Sequence, residues 1–365
     1  MYHALIKNTS NQIKVKTKFN VILIPVILLI AACADKESKG VSFITIGAGQ
    51  MPDISRDNEN NLHLVYGRGD SIFYAMSSNE GKSFSSPGLV AVIPGLAASH
   101  MRGPQIASAN GVNVIACDNS GNIFSYSRES SGSWSPAGKV NDVDTVAKEQ
   151  LMDLAADGGH YFAVWLDLRN KHNEIYGASS MDAGKSWSKN RLIYASPDTT
   201  VCECCKPSVV VSEKNVYVMF RNWLKGNRDL YLIGSSDRGT SFGQAIKLGN
   251  DSWPLNGCPM DGGGLVVDNK GMTKTVWVRK KTIYSCEPGK PEEAIGQGRS
   301  CTIESVNGKN VYAWTENGKV VVVNPKGEKI LLGDGSMPVL KSVSNSAVLC
   351  IWQAEDQIRS AMVNL

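Results

Sequence analysis

The chain has no surplus of charge, no apolar run long enough to cross a membrane, no phosphate loop and no recognisable catalytic serine triad. It carries 38 Lys and Arg against 34 Asp and Glu, and four of the basic residues, Lys7, Lys14, Lys16 and Lys18, lie in an N-terminal stretch. Without residues 1–32 the balance is 34 to 34, which leaves no basic surface for nucleic acid. The main apolar run, Val21–Ile30, falls short of the ~20 residues of a spanning helix. Gly262–Gly264 is followed neither by Lys-Ser/Thr nor by a helix start, so it does not cradle phosphate. His160 and His172 are isolated, which suits surface or structural roles.

What is present begins at the N-terminus. A basic stretch, a short apolar run and the small residues Ala31 and Ala32 before Cys33 have the order of a secretory signal. Ile30-Ala-Ala-Cys33 resembles the bacterial lipobox. That resemblance implies cleavage after Ala32, a lipid on Cys33, and attachment to the membrane through that lipid only. Ala34 stands where an inner-membrane retention aspartate would be. The expected location is the bacterial cell envelope, on the periplasmic or outer-membrane side. The expected domains are a signal over 1–32, a polar tether over 33–40 and one large domain over 41–365.

Within that domain an eight-residue pattern returns. It reads Ser77-Ser-Asn79-Glu-Gly81-Lys-Ser83-Phe84, then Ser180-Met-Asp182-Ala-Gly184-Lys-Ser186-Trp187, then Ser235-Ser-Asp237-Arg-Gly239-Thr-Ser241-Phe242. A worn copy runs from Ser127 to Trp134, with Glu129 at the acidic position and Gly132 displaced. Steps of 50, 53 and 55 residues indicate a repeat of one supersecondary unit. Each copy follows an alternating apolar run, so it is a hairpin turn: Asp or Asn accepts turn amides, Gly takes positive φ, and the aromatic packs back.

The pattern resembles the Asp-box of sialidases and related β-propellers. The resemblance implies an all-β fold of four-stranded blades, and it concerns the turn, not a function. Aligning the second strand of each unit on Tyr66, Ala116, Trp165, Phe220, Trp277, Trp314 and Trp352 gives seven registers, six with an aromatic. These aromatics are expected in the core between blades. Seven blades are the favoured count, and six, as in sialidases, is the alternative. The last unit lacks a fourth strand, which the segment near Val41–Gly47 can supply, closing the ring and removing open edges.

This topology puts the Asp-boxes on one face and the fourth-to-first-strand segments and second-to-third-strand loops on the other. That second face collects Arg102, Glu149, Asp118, Asp167, Arg221, Arg279 and Asp261, a mixture suited to an anionic ligand or to a rim of ion pairs. Met101-Arg102-Gly103-Pro104 resembles the sialidase Arg-Pro motif, with other residues flanking the arginine. By that resemblance Arg102, with Arg221 and Arg279, would grip a carboxylate. Asp118 would be the acid/base group, and Glu149 or Glu203 would assist a tyrosine nucleophile at Tyr284. Asp167 and Asp261 would complete the substrate site. The implied activity is an exo-α-sialidase-type hydrolase acting on, or a protein recognising, an acidic glycan or small carboxylate. The alternative is a non-catalytic propeller that binds a glycan, a protein or a metal. A monomer is expected in either case, and no cofactor is required.

Cys202, Cys204, Cys205 and Cys258 precede the first strands of neighbouring units and should converge. Two disulfides are the favoured reading in an oxidising compartment, with Cys204 and Cys205 bonded to different partners because a vicinal bridge is strained. Four thiolates around zinc or Cu(I) are the second reading, although Cys-x-Cys-Cys is not the usual zinc spacing. Cys286 and Cys301 are expected to bridge, and Cys117 and Cys350 to be buried thiols. Val201–Pro207 together with Trp253–Gly264 resembles a group of secreted bacterial Asp-box proteins described as sialidase-like, which ties the cysteine loops to the candidate site.

Overall fold

A computed structural model describes residues 41–365; the signal, the lipobox with Cys33 and the tether lie outside the described residues. Among the described residues there is no helix. The strands form seven four-stranded antiparallel sheets, and the first strands of successive sheets touch all the way round, blade seven against blade one. The protein is a seven-bladed β-propeller.

Blade one is Gln50–Arg56, Leu62–Arg68, Ser71–Ser77 and Gly88–Val92. Blade two is Gln105–Ser108, Val112–Cys117, Ile123–Arg128 and Trp134–Lys139. Blade three is Met152–Asp157, His160–Asp167, Glu174–Ser180 and Arg191–Tyr194. Blade four is Ser208–Ser212, Asn215–Leu224, Asn227–Ser235 and Ile246–Lys247. Blade five is Gly263–Val267, Thr273–Arg279, Thr282–Cys286 and Glu293–Gln297. Blade six is Arg299–Val306, Lys309–Glu316, Lys319–Val323 and Lys329–Asp334. Blade seven is Ser336–Ser344, Ala347–Ala354 and Gln357–Asn364, completed by Ile44–Ala48, with Ile44 opposite Ser360. The expected closure is therefore present, and Ile44–Ala48 is the rim strand of blade seven.

Second strands are buried on both faces, as strands between two packed sheets must be. Their aromatics Tyr66, Trp165, Phe220, Trp277, Trp314 and Trp352 are all buried, which makes them core and not a sugar platform. Two of the indole N–H groups find carboxylates at the strand ends, Trp165 donating to Asp167 over 2.8 Å and Trp314 to Glu316 over 3.2 Å, whereas that of Trp277 has no partner among the described residues.

The Asp-boxes join third and fourth strands. In the box of blade three, Ser180 Oγ accepts from Gly184 N (2.8 Å) and donates to Asp182 (2.7 Å), and Asp182 accepts from Ser186 N (2.9 Å). The boxes at Ser77 and Ser235 repeat these bonds. In the worn copy the backbone carbonyl of Glu129 takes the bond from Gly132 N (2.8 Å). Each box also locks onto the preceding blade. A Cβ on Gly184 would lie 2.1 Å from Asn113 of blade two, and one on Gly239 would lie 2.2 Å from Phe162 of blade three. Both glycines have φ +76, so the backbone conformation and the blade contact each require glycine.

Candidate functional site on the face opposite the Asp-boxes

The opposite face is built by the segments that carry the chain from a rim strand to the next first strand. These segments are tied to the second-to-third-strand loops by isolated bridges, Leu96 to Asp118, Val201 to Asn222 and Asn227 to Pro254. Around the channel mouth the chain turns sharply. Register breaks open the first strands of blades one, six and seven, and Met51, Met101, Met260, Ser300 and Met337 all take positive φ there. Such conformations cost energy in non-glycine residues and collect at functional sites.

Two adjoining cavities open on this face. The channel cavity, about 130 Å³, is lined by Met51, Asp53, Met101, Lys206, Cys301 and Met337 among others. A larger basin of about 780 Å³ lies over blades five and six and is lined by Trp253, Lys280, Lys281, Arg299, Thr315 and Glu316 among others. Asp261 borders both. It is buried, accepts from Ser300 N over 3.1 Å through one oxygen, and leaves the other without a partner. Burial pushes its carboxyl up, against hydrogen bonding and the nearby Arg221 and Arg299. In the channel, Lys206 pairs with Asp153 at 2.6 Å, and burial pushes the Asp53 carboxyl up to about 6, Lys206 opposing and Asp153 adding to the rise.

The basin wall carries charge of both signs, but its carboxylates are committed: Glu316 pairs with Lys329, and Asp261 is buried. Lys280, Lys281 and Arg299 are exposed on its wall. The ion pairs nearby belong to other residues, Arg279 with Glu292 and Lys329 with Glu316. Among the described residues none of these three cations has a carboxylate partner within 4.0 Å. Sequence reasoning missed them; the Lys280-Lys281 pair at the loop of blade five was the available signal.

The sequence-derived residues separate into groups. Arg102 and Glu149 do meet: Arg102 Nε donates to the Glu149 carbonyl over 2.8 Å, and the side chains pair at 3.8 Å. Burial raises the Glu149 carboxyl, Arg102 opposes, and Glu203 adds to the rise. Arg221 does not join them. It is buried, and donates to the carbonyls of Arg228 (2.8 Å) and Val278 (2.9 Å). Arg279 is held by Glu292 at 2.6 Å and Asp251 at 3.2 Å, and covers Tyr284 at 4.3 Å. Tyr284 is stacked on Trp277 at 5.0 Å. Asp118 accepts from the backbone of Ser120 (3.0 Å) and Asn122 (2.9 Å), closing its own turn. Burial pulls its carboxyl up, but those bonds prevail and hold it below the usual range. Asp167 is buried and engaged by Trp165 and Arg169. These positions carry structural duties on this geometry, and the three arginines do not converge.

The cysteines converge as expected, with one bridge in place of two. Cys204 is bonded to Cys258 and staples two neighbouring loops, while Cys202 and Cys205 are buried free thiols. Their sulfurs are 3.5 Å apart, and Cys202 lies 3.7 Å from Cys204. Arg228, itself buried and paired with Glu203 at 3.2 Å, donates to Cys202 Sγ over 3.0 Å. The Cys205 thiol, then Arg221 and Arg228, hold Cys202 down at about 6 against its own burial, whereas burial pushes Cys205 well up. Arg221 also lies 5.4 Å over Trp253, so the cluster backs directly onto the basin wall. Cys286 and Cys301 do not bridge: the Cys286 thiol donates to the carbonyl of Glu287 at 3.1 Å, and Cys301 faces the channel. Cys117 and Cys350 are buried free thiols, as expected.

No protein-family model and no curated protein matches the chain. Among solved structures, the α-L-arabinofuranosidase Arb93A from Fusarium graminearum matches with a TM-score of 0.50 at 10% identity, over 89% of this chain and 97% of that one. NanB sialidase from Streptococcus pneumoniae gives 0.47 at 11% identity, over 90% and 69%. The intramolecular trans-sialidase from Ruminococcus gnavus gives 0.46 at 11%, over 89% and 97%. At these identities the likeness is one of fold.

Proposed function

We propose that this propeller recognises an acidic glycan or a related carboxylate ligand in the basin over blades five and six. One observation carries the reading: Lys280, Lys281 and Arg299, without carboxylate partners, line an open cavity of about 780 Å³ together with Trp253. Unpaired cations on a concave wall attract anions, and a guanidinium fork suits a carboxylate. A cavity with an aromatic residue and a few polar groups has the composition of a small-ligand site. Recognition without turnover is the form the side chains support, because Arg221, Arg279, Tyr284 and Asp118 are already engaged. The proposal includes a monomer anchored in the bacterial cell envelope by lipid on Cys33, which lies outside the described residues.

A second reading, cleavage, is favoured by Glu149. Its carboxyl is raised by burial and stands beside Arg102, as a proton donor would. Hydrolysis of a panel of fluorogenic sialosides and uronides separates the two. Turnover that Glu149→Gln abolishes while folding persists would establish cleavage. Binding to an array of acidic glycans with no turnover would support recognition.

A further inference from the structure

We propose that Cys202 and Cys205 form a thiolate site for Cu(I), held in place by the Cys204–Cys258 staple. The two cysteines have Cys-x-x-Cys spacing, are both free and buried, and present sulfurs 3.5 Å apart. Metal–thiolate bonds are about 2.3 Å long, so sulfurs on opposite sides of one ion stand about 4.6 Å apart, and these two need to part by only about 1 Å. Cys204 lies 3.7 Å from Cys202 but is committed to Cys258. It therefore orders the loop without supplying a thiolate.

The charge balance points the same way. Arg221 and Arg228 are both buried beside these sulfurs, and the Nε of each has no partner. Arg228 is met by Glu203 at 3.2 Å, whereas Arg221 donates only to backbone carbonyls. Two buried guanidiniums beside these sulfurs, one of them donating to Cys202 Sγ over 3.0 Å, favour a site that carries negative charge, since buried charge is retained when it is paired. Binding fits that charge: whatever protons the two sulfurs still hold are released, and two thiolates with Cu(I) leave one net negative charge beside the arginines. Metal coordination deprotonates a thiol outright.

Copper in preference to zinc follows from the ligand count, since only two free thiols among the described residues meet here and zinc takes four ligands. Met51, Met101, Met260 and Met337 stand at the entrances of first strands with φ of 53, 70, 48 and 53°. Left-handed methionine backbone is costly and is kept where the site needs it. Met51, Met101 and Met337 line the channel cavity with the Cys301 thiol. Thioethers are soft donors that suit Cu(I) and do not belong to the zinc ligand set of Cys, His and carboxylate. Asp261, the residue that borders both cavities, sits in the loop bearing Cys258 and next to Met260.

The test uses the full chain purified without reductant. Free thiols are counted, and the protein is titrated anaerobically with tetrakis(acetonitrile)copper(I) against bathocuproine disulfonate. One equivalent of Cu(I) retained against the chelator, with thiolate-to-metal absorption in the near ultraviolet, is expected. Cys202→Ser or Cys205→Ser should abolish it, Cys117→Ala should leave it unchanged, and Arg228→Met should weaken it about 10- to 100-fold. Near-ultraviolet circular dichroism checks that the variants are folded. Absence of stoichiometric binding to the unmodified chain, a Cys202–Cys205 disulfide in the freshly purified protein, or tighter retention of zinc than of Cu(I) would each overturn the proposal without recourse to any variant.

Discussion

Arg228 donates to the sulfur of Cys202 over 3.0 Å, and through its backbone carbonyl it also receives the guanidinium of Arg221. Arg221 in turn lies over Trp253 on the basin wall. The cysteine loop, the two buried arginines and the basin are thus one packed unit. A change at any of them should be felt at the others, because residues sharing partners are coupled energetically.

The staple contributes stability to that unit. Cys204 and Cys258 are 54 residues apart, so the bond closes a whole blade repeat in the unfolded chain. Cys258→Ser should lower the stability by about 2–4 kcal/mol, measured by denaturant unfolding under non-reducing conditions. An unchanged midpoint would mean that the bond is absent from the folded protein.

The Asp-box glycines should be separable into conformational and contact effects. Gly184→Ala meets both a φ of +76 and a Cβ contact of 2.1 Å with Asn113, whereas Gly226→Ala, outside the boxes in the turn between the second and third strands of blade four, meets a φ of +75 with nothing within 4 Å. The left-handed backbone alone costs about 1–3 kcal/mol at the upper end of ordinary cases. Thermal unfolding should show Gly184→Ala the more destabilised of the two. Equal effects would remove the argument that boxes lock neighbouring blades.

Asp53 gives a pH signature. Its folded value is pushed up to about 6, so between roughly pH 4 and 6 the folded state holds a proton that the unfolded state has released. Stability from this group is complete below its unfolded value near 3.8 and is lost as pH rises through about 6. Asp53→Asn keeps an acceptor for Ile106 N, which Asp53 holds at 2.8 Å, and should flatten that decline. A decline of equal slope in the variant would contradict the assignment.

Much of this fold was legible because its signals are local. Alternating apolar runs and the spacing of Ser180, Asp182 and Gly184 specify a strand and its turn without reference to the rest of the chain. The second-strand aromatics, from Tyr66 to Trp352, marked the blade count for the same reason. The site was less legible because arginine partners are set by tertiary neighbours. Arg279 reads in sequence as a free cation and is claimed in the fold by Glu292, while adjacent Lys280 is left exposed on the basin wall. Asp118 had the right order for an acid/base group, but a loop of Ser120 and Asn122 gave it a turn to close. The cysteine loops were legible as a meeting point; their pairing is set by tertiary distance, Cys204 meeting Cys258 while Cys202 and Cys205 stay 3.5 Å apart.

The basin's cations should act on affinity in proportion to salt. Lys280→Ala and Lys281→Ala together should weaken acidic-ligand binding and reduce its dependence on ionic strength, since exposed charges are screened within ~8 Å at physiological salt. Titration calorimetry at two salt concentrations reads this; a loss of affinity with an unchanged salt slope would point to a packing effect.

The most direct measurement compares wild-type protein with Lys280→Glu/Arg299→Glu on an array carrying sialylated and uronic-acid glycans beside their neutral counterparts. The account predicts that wild type binds acidic glycans selectively and that charge reversal removes this binding while the propeller remains folded. Equal binding of acidic and neutral glycans, or binding unaffected by the reversal, would contradict it.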